Sequence, residues 1–359
     1  MRLRRPDFYR DFSCIGGACG DTCCAGWEIE IDGETAEKYR SAGGKIGERL
    51  RAEMENDEEE SCFRLTEERR CPFLNGDNLC EIIIALGEEW LCDICREHPR
   101  FYQWFGDYTE AGLGLCCEEV CRLLFRRKEP LRFEMLYDEE EDREDDSPGE
   151  LEEDFLLEPL LKARETAFAI AQSRNCSMDQ RIRALLAWAE ELDAHLQAED
   201  AEGIEALAGE GSIRWLRRQC CEKYFEEAEV RKLLEQYRVL ESLDGTWGGR
   251  MEKLLKRLPE LLEARRDFLA EYRERECEYE HLAVYFLYRY FMEALFDGCV
   301  LPPVRFAAAS LLVIQLLDTE IWLERGDYTE ADRIFTAKLY SKEIEYCPEN
   351  MEMLHDFLM

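Results

Sequence analysis

Cys14-Ile-Gly-Gly-Ala-Cys19-Gly-Asp-Thr-Cys23-Cys24-Ala-Gly-Trp27 places four thiols within eleven residues, a density that ordinary core packing does not use. Twelve of the 18 cysteines precede residue 122: these four and Cys62, Cys71, Cys80, Cys92, Cys95, Cys116, Cys117 and Cys121. The other six, at 176, 220, 221, 277, 299 and 347, are scattered through helix-like sequence and read as small buried apolar residues. The cysteine-dense part therefore reads as one module and the rest as another.

Working outward, Trp27 to Asp32 alternates apolar and acidic side chains, the pattern of a short half-buried strand. Asp32 or Thr35 can cap a helix through Tyr39 that stops near Gly43-Gly44. In Cys71-Pro-Phe-Leu-Asn-Gly-Asp-Asn-Leu-Cys80 the polar centre predicts a tight turn that brings its two end thiols together. Cys92-Asp-Ile-Cys95 is a C-x-x-C, whose spacing lets two thiolates meet one metal from a turn. The aromatic run 101–105 reads as core or site wall, and Cys116-Cys117-Glu-Glu-Val-Cys121 opens an amphipathic helix to about Arg127.

Residues 137–154 are strongly acidic with Pro148-Gly149 inside them, which predicts a linker between a cysteine-rich domain at 1–136 and a helical domain at 155–359. Helical periodicity runs over about 155–173, 178–198, 211–240, 247–275, 278–297, 303–325 and 328–355. The fold expected is mostly α: a metal-binding cysteine-rich N-terminal domain with little strand, then an α-helical bundle. His281 to Phe291 is apolar nearly all round, the mark of a buried helix rather than an aromatic cage for a cation. Gly106-Asp-Tyr-Thr-Glu-Ala111 recurs as Gly326 to Ala331; two copies without a period do not make an array, and helix capping accounts for them.

A net charge of −35 repels phosphate, so nucleic acid is excluded as a partner, while a basic protein or a lysine-rich patch is attracted. No apolar h-region follows the first residues, and the longest apolar run, Phe306 to Leu317, is too short to span a membrane. These features predict a cytoplasmic protein without membrane contact, in which clustered thiols bind metal rather than pair as disulfides. The ligands are almost purely thiolate, since His98 is the only histidine of the first half; zinc and iron–sulfur clusters both accept four thiolates. No C-x3-C-x2-C triplet is present, so no radical mechanism is indicated. Walker, dinucleotide-binding, His-Glu-x-x-His and nucleophile-elbow motifs are also missing.

Phe12 to Trp27, with Ile29-Glu-Ile31-Asp32, Cys71-Pro-Phe-Leu, Leu79-Cys80, Cys95, Pro99-Arg100 and Cys117-Glu-Glu-Val-Cys121, resembles the flagellin lysine-N-methylases and the wider group of cysteine-rich zinc- or iron-chelating domains. The resemblance implies metal ligation by Cys14, Cys19, Cys23, Cys24, Cys71, Cys80, Cys95 and Cys117, enough for two four-thiolate sites or for one cluster with supporting thiols. Cys62, Cys92, Cys116 and Cys121 fall outside that pattern and read equally well as packed. It further implies methyl transfer from S-adenosylmethionine to lysine ε-amino groups of flagellin, with catalytic and S-adenosylmethionine-binding residues unassigned. Read without the resemblance, the residues also allow a non-catalytic zinc or iron–sulfur protein, acting as metal carrier, sensor or flagellin-interaction module.

Overall fold

The computed structural model describes residues 2–27, 29–56, 61–137, 156–198, 200–209, 225–243 and 245–359. The acidic stretch 138–154, the first part of the expected 211–240 helix, Cys220 and Cys221 lie outside the described residues. The described chain is mostly helical with little strand. It forms two compact units that do not follow chain order: residues 11–101 with 113–121 make one, and residues 1–10, 102–112 and 122–359 make the other.

In the helical unit, a four-stranded sheet runs in the order β5-β6-β1-β7, with β1 Arg2–Pro6, β5 Arg100–Phe105, β6 Tyr108–Leu113 and β7 Phe133–Tyr137. β1 pairs in parallel with β6 and antiparallel with β7. The aromatic run expected as core or wall is thus strand β5, with Trp104 exposed. Tyr288 locks sheet to helix: its hydroxyl donates to the carbonyls of Arg4 at 2.9 Å and Ala111 at 3.0 Å, and its ring lies 4.4 Å from that of Phe133.

The helix Leu301–Arg325 forms the middle of the bundle and packs on Met178–Gln197, Leu258–Glu271, Glu276–Tyr290, Glu330–Ile344 and Pro348–Leu358. By length and composition it could cross a membrane, yet most of its surface is covered by its neighbours. The Asp193 carboxylate caps its start, accepting from the amides of Val300 at 2.6 Å and Leu301 at 3.0 Å. Glu276–Tyr290 is buried almost throughout, as all-round apolarity requires.

The expected 278–297 helix ends at Tyr290, followed by the separate short helix Ala294–Asp297, and two more expected helices are broken at a proline. The 247–275 stretch splits into Trp247–Lys256 and Leu258–Glu271, and 328–355 into Glu330–Ile344 and Pro348–Leu358. The cause is the same in both: Pro259 and Pro348 lack an amide for the preceding turn and are seated instead at the start of the next helix.

The cysteine-rich unit has a three-stranded sheet, β2-β4-β3, of very short strands: β2 Glu30–Ile31, β3 Met54–Asn56 and β4 Ser61–Phe63. Its core is small: Ile29, Ile31, Tyr39, Leu50, Phe63 and Phe73 among others, with buried Cys71 and Cys92 as members and Cys24, Cys80 and Cys95 packed against it.

Candidate metal centre

The cysteine loop is shaped locally. The amide of Gly16 donates to Cys14 Sγ at 3.4 Å, and that of Cys19 to the Gly16 carbonyl at 3.0 Å. Gly16 closes this turn at φ +53°, which a residue with a Cβ adopts only under strain. Glu118 Oε2 accepts from the Gly20 amide at 2.9 Å and from Cys19 Sγ at 3.8 Å, fastening the loop to the start of the helix Glu118–Phe125, one residue beyond Cys117. Trp27 Nε1 donates to the Cys23 carbonyl at 2.6 Å.

Four thiols form one group. Cys23 is pushed far above the ordinary thiol range, first by its hydrogen bond with Cys24, then by burial, then by Cys24, Cys14 and Cys117. Cys117 is raised first by burial, with Cys19 and Cys14 adding to it. Cys23 and Cys117 thus both lie within electrostatic reach of Cys14, and Cys117 of Cys19; all four are exposed or half-buried.

Five thiols form the second group. Cys71 is pushed up to about 12, by burial first and then by Cys24, Cys80 and Cys92; Cys80 is raised by burial, Cys24 and Cys92. Cys95 is pushed far up by its hydrogen bond with Cys92 first, while the same bond lowers Cys92. Cys24 is lowered to about 7 by the bond from Cys23, so it stands where the two groups meet. The expected turn draws in Cys71 and Cys80: Asn75 Oδ1 accepts from the amides of Asp77 at 2.9 Å and Leu79 at 3.0 Å, and Leu74 bridges to Cys80. The C-x-x-C is held by Asp32, whose Oδ1 caps the helix Gly33–Ser41 through the Thr35 amide at 2.8 Å. Its Oδ2 accepts from the Asp93 amide at 2.9 Å, just past Cys92.

All eight thiols implied by the resemblance are thus assembled within one unit, four in the open group and Cys24, Cys71, Cys80 and Cys95 in the buried one. The ninth, Cys92, was set aside on pattern alone; its signal in the sequence is the C-x-x-C spacing with Cys95. Cys116 and Cys121 are buried and bonded elsewhere, the first 3.7 Å from His98 Nε2, the second donating to the Leu115 carbonyl at 3.1 Å. Cys23, Cys71, Cys80, Cys95 and Cys117 are each made harder to ionise by neighbouring thiols, while Cys24 and Cys92 are the partners eased by the same hydrogen bonds; a bound cation favours the thiolate at all of them. Among the described residues, the set of His, Cys, Asp or Glu ligand atoms lying within 4.8 Å of one another is Glu241, Cys347 and Glu349, so no three of these nine sulfurs converge that closely. Sulfurs on one tetrahedral zinc ion stand about 3.8 Å apart, given zinc–sulfur bonds near 2.3 Å.

The sequence profile of the FliB lysine N-methylase C-terminal domain matches residues 164–359, more than half of the chain. The flagellar biosynthetic protein FliU of Salmonella muenchen is 31% identical over 126 residues, 33% of this chain and 75% of the relative. A lysine-N-methylase of Salmonella typhimurium (strain LT2) is also 31% identical over 126 residues, but the match takes in only 31% of that relative; a lysine-N-methylase of Salmonella choleraesuis matches to the same extent. No solved structure matches. A cysteine-rich unit beside a helical unit that fits this profile makes the chain a member of the FliB lysine N-methylase family.

Proposed function

We propose that the protein transfers methyl groups from S-adenosylmethionine to lysine ε-amino groups of flagellin in the cytoplasm, and that its thiols hold iron–sulfur chemistry, with zinc as the other metal their softness admits. The match of the FliB lysine N-methylase C-terminal profile to residues 164–359 carries the first part of this reading. The second rests on the donor set: nine thiols in two groups, a composition that suits iron–sulfur clusters or zinc and disfavours magnesium or calcium. Cys14, Cys19, Cys23 and Cys117 would hold the exposed centre, and Cys71, Cys80, Cys92 and Cys95, with Cys24 beside them, the buried one.

S-adenosylmethionine supplies an electrophilic methyl on a positively charged sulfur. The chain's task is to present a lysine whose nitrogen has lost its proton, because only the lone pair of the neutral amine can form the new carbon–nitrogen bond as the carbon–sulfur bond breaks. Desolvation lowers an amine's pKa and adjacent carboxylate raises it, so the innermost contacts to the reacting nitrogen should be uncharged. The acidity of the chain serves an earlier step, drawing lysine-bearing protein toward it.

Two measurements on the anaerobically purified protein test this. Incubation with flagellin and methyl-labelled S-adenosylmethionine should label lysine; absence of label with the metal-replete protein rejects methyl transfer. Iron, zinc and acid-labile sulfide analysis should give stoichiometric iron and sulfide; zinc without sulfide assigns the thiols to a zinc scaffold.

A further inference from the structure

Near the C-terminus of the helical unit, a slot of about 300 Å³ opens between the turn after Ala294–Asp297, the first turns of Leu301–Arg325 and the helix Pro348–Leu358. Its two kinds of wall differ sharply. Pro302, Pro303 and Phe306 are buried and supply an apolar wall. Glu293, Asp297 and Glu352 line the rest. Asp297 has a partner in His355 at 3.2 Å, whereas Glu293, half-buried, makes no hydrogen bond or ion pair among the described residues. Outside its lining, on or at the end of the helices Ala294–Asp297 and Pro348–Leu358, Phe296 and Met359 are more than 60% exposed, and Met353 and Phe357 are exposed as well.

An apolar trough ending in carboxylates is complementary to one protein side chain, lysine, whose four-carbon stem seeks apolar cover while its ammonium seeks negative charge. Arginine would need a planar, bidentate partner, and an anionic ligand would meet three carboxylates with one histidine to offset them. We propose that this slot docks a lysine of the protein substrate, stem against Pro302, Pro303 and Phe306 and ammonium among Glu293, Asp297 and Glu352. The exposed Phe296, Met353, Phe357 and Met359 would pack on the apolar surface beside that lysine. The docked lysine is not the one that accepts a methyl: carboxylates around an ammonium hold its proton in place, which leaves it without a nucleophilic lone pair. The slot is thus a docking site, and a lysine-rich substrate presents one lysine to it and another to the methyl donor. This inference rests on the reading of the protein as a lysine methylase.

Binding to the full-length protein of a twelve-residue Gly/Ser peptide carrying one lysine, followed by ligand-observed NMR, tests the slot apart from the chemistry. Replacing the lysine by norleucine, which keeps the stem and removes the charge, should weaken binding at least fivefold, and E352Q and E293Q/E352Q should do the same to the lysine peptide. Glu352 is solvent-exposed, so E352Q keeps the fold even if the double variant does not. Equal binding of the lysine and norleucine peptides, or unchanged affinity in E352Q, overturns the proposal. In the flagellin methylation assay the same variants should raise KM at least fivefold with kcat held. Unchanged KM with intact transfer sinks the slot and spares the methylase reading; lysine binding without any transfer by the wild type does the reverse.

Discussion

The helical unit is held by a large apolar core threaded with buried ion pairs, whereas the core cluster of the cysteine-rich unit is a dozen buried side chains between Ile29 and Cys92, two of them cysteines. Arg164 and Glu110 are both fully buried, joined through Arg164 Nη1 and Glu110 Oε2 at 2.7 Å and through the second oxygen as well. Arg333 pairs in the same way with buried Asp318 and Glu278. Among its described residues the cysteine-rich unit has no such buried pair in its core, and most of the polar groups they bury are thiols. A unit with so little apolar area to remove from water needs cross-links, and thiolate–metal bonds are the cross-links its composition offers. The two thiol groups differ in the same sense: the second includes the buried Cys71 and Cys92 and packs on the small core, while the first includes the exposed Cys14 at the loop.

Cys95→Ser is the substitution expected to separate these groups most strongly. Metal ligation contributes on the order of 10 kcal/mol to small metal-dependent units, so loss of a buried ligand should open the stretch from Ile29 to Cys92 to protease while the helical unit stays resistant. Cys14→Ser, in the exposed group, should lose metal without that opening. If both variants resist protease equally, the distinction between the groups is wrong. Next in size, Arg164→Met leaves the Glu110 carboxylate buried and unpaired and should cost about 3–5 kcal/mol in denaturant unfolding, largely recovered when Glu110→Leu is added. A loss below 1 kcal/mol would show that water reaches this pair.

Asp32→Ala removes two caps at once, from Gly33–Ser41 and from the segment carrying Cys95, and should cost the cysteine-rich unit about 2 kcal/mol. Asp32→Asn, which retains Oδ1, should cost about half as much. The smallest effect is expected at Glu293. Burial, which outweighs the lesser influences of His355, Asp297 and Arg289, pushes its carboxyl up to about 7. A raised acid is favoured in its neutral form by the folded state, so its contribution is intact at pH 4 and is lost as the pH climbs through 7. Glu293→Gln should therefore leave the denaturant midpoint unchanged at pH 4 and raise stability by about 1–2 kcal/mol at pH 8. A gain of equal size at both pH values would trace it to packing instead.

Much of the fold was legible in the sequence because it is written in short-range signals. Apolar spacing located the helices, Asp32 announced its cap, and the Asn75 to Asn78 turn announced the approach of Cys71 to Cys80. What stayed hidden depends on distant partners. β1 lies at the N-terminus but pairs with strands more than 100 residues away, and nothing in Arg2–Pro6 names them. The same holds for the candidate site: the resemblance implied eight thiols, but which four stand with which five, and that Cys92 stands among them, follows from how separate loops pack.

The repeated hexapeptide states this most directly. Chemistry local to six residues determined one thing in both copies: Gly106 and Gly326 each turn the chain at positive φ, +63° and +75°, as glycine readily does. After the glycine the copies diverge. Thr329 caps the helix Glu330–Ile344 through the Asp332 amide, while Tyr108 to Ala111 extend as buried strand β6, with β1 alongside and Arg164 meeting Glu110. Helix capping, expected for both copies, holds only for the second. The sequence by itself determined the elements that short-range sterics and hydrogen bonding can specify, together with the thiol-rich composition of the candidate metal centre. Only the tertiary structure decided which of two allowed conformations a segment takes and which thiols share a site, because burial and pairing with distant residues contribute more free energy than the local preference they override.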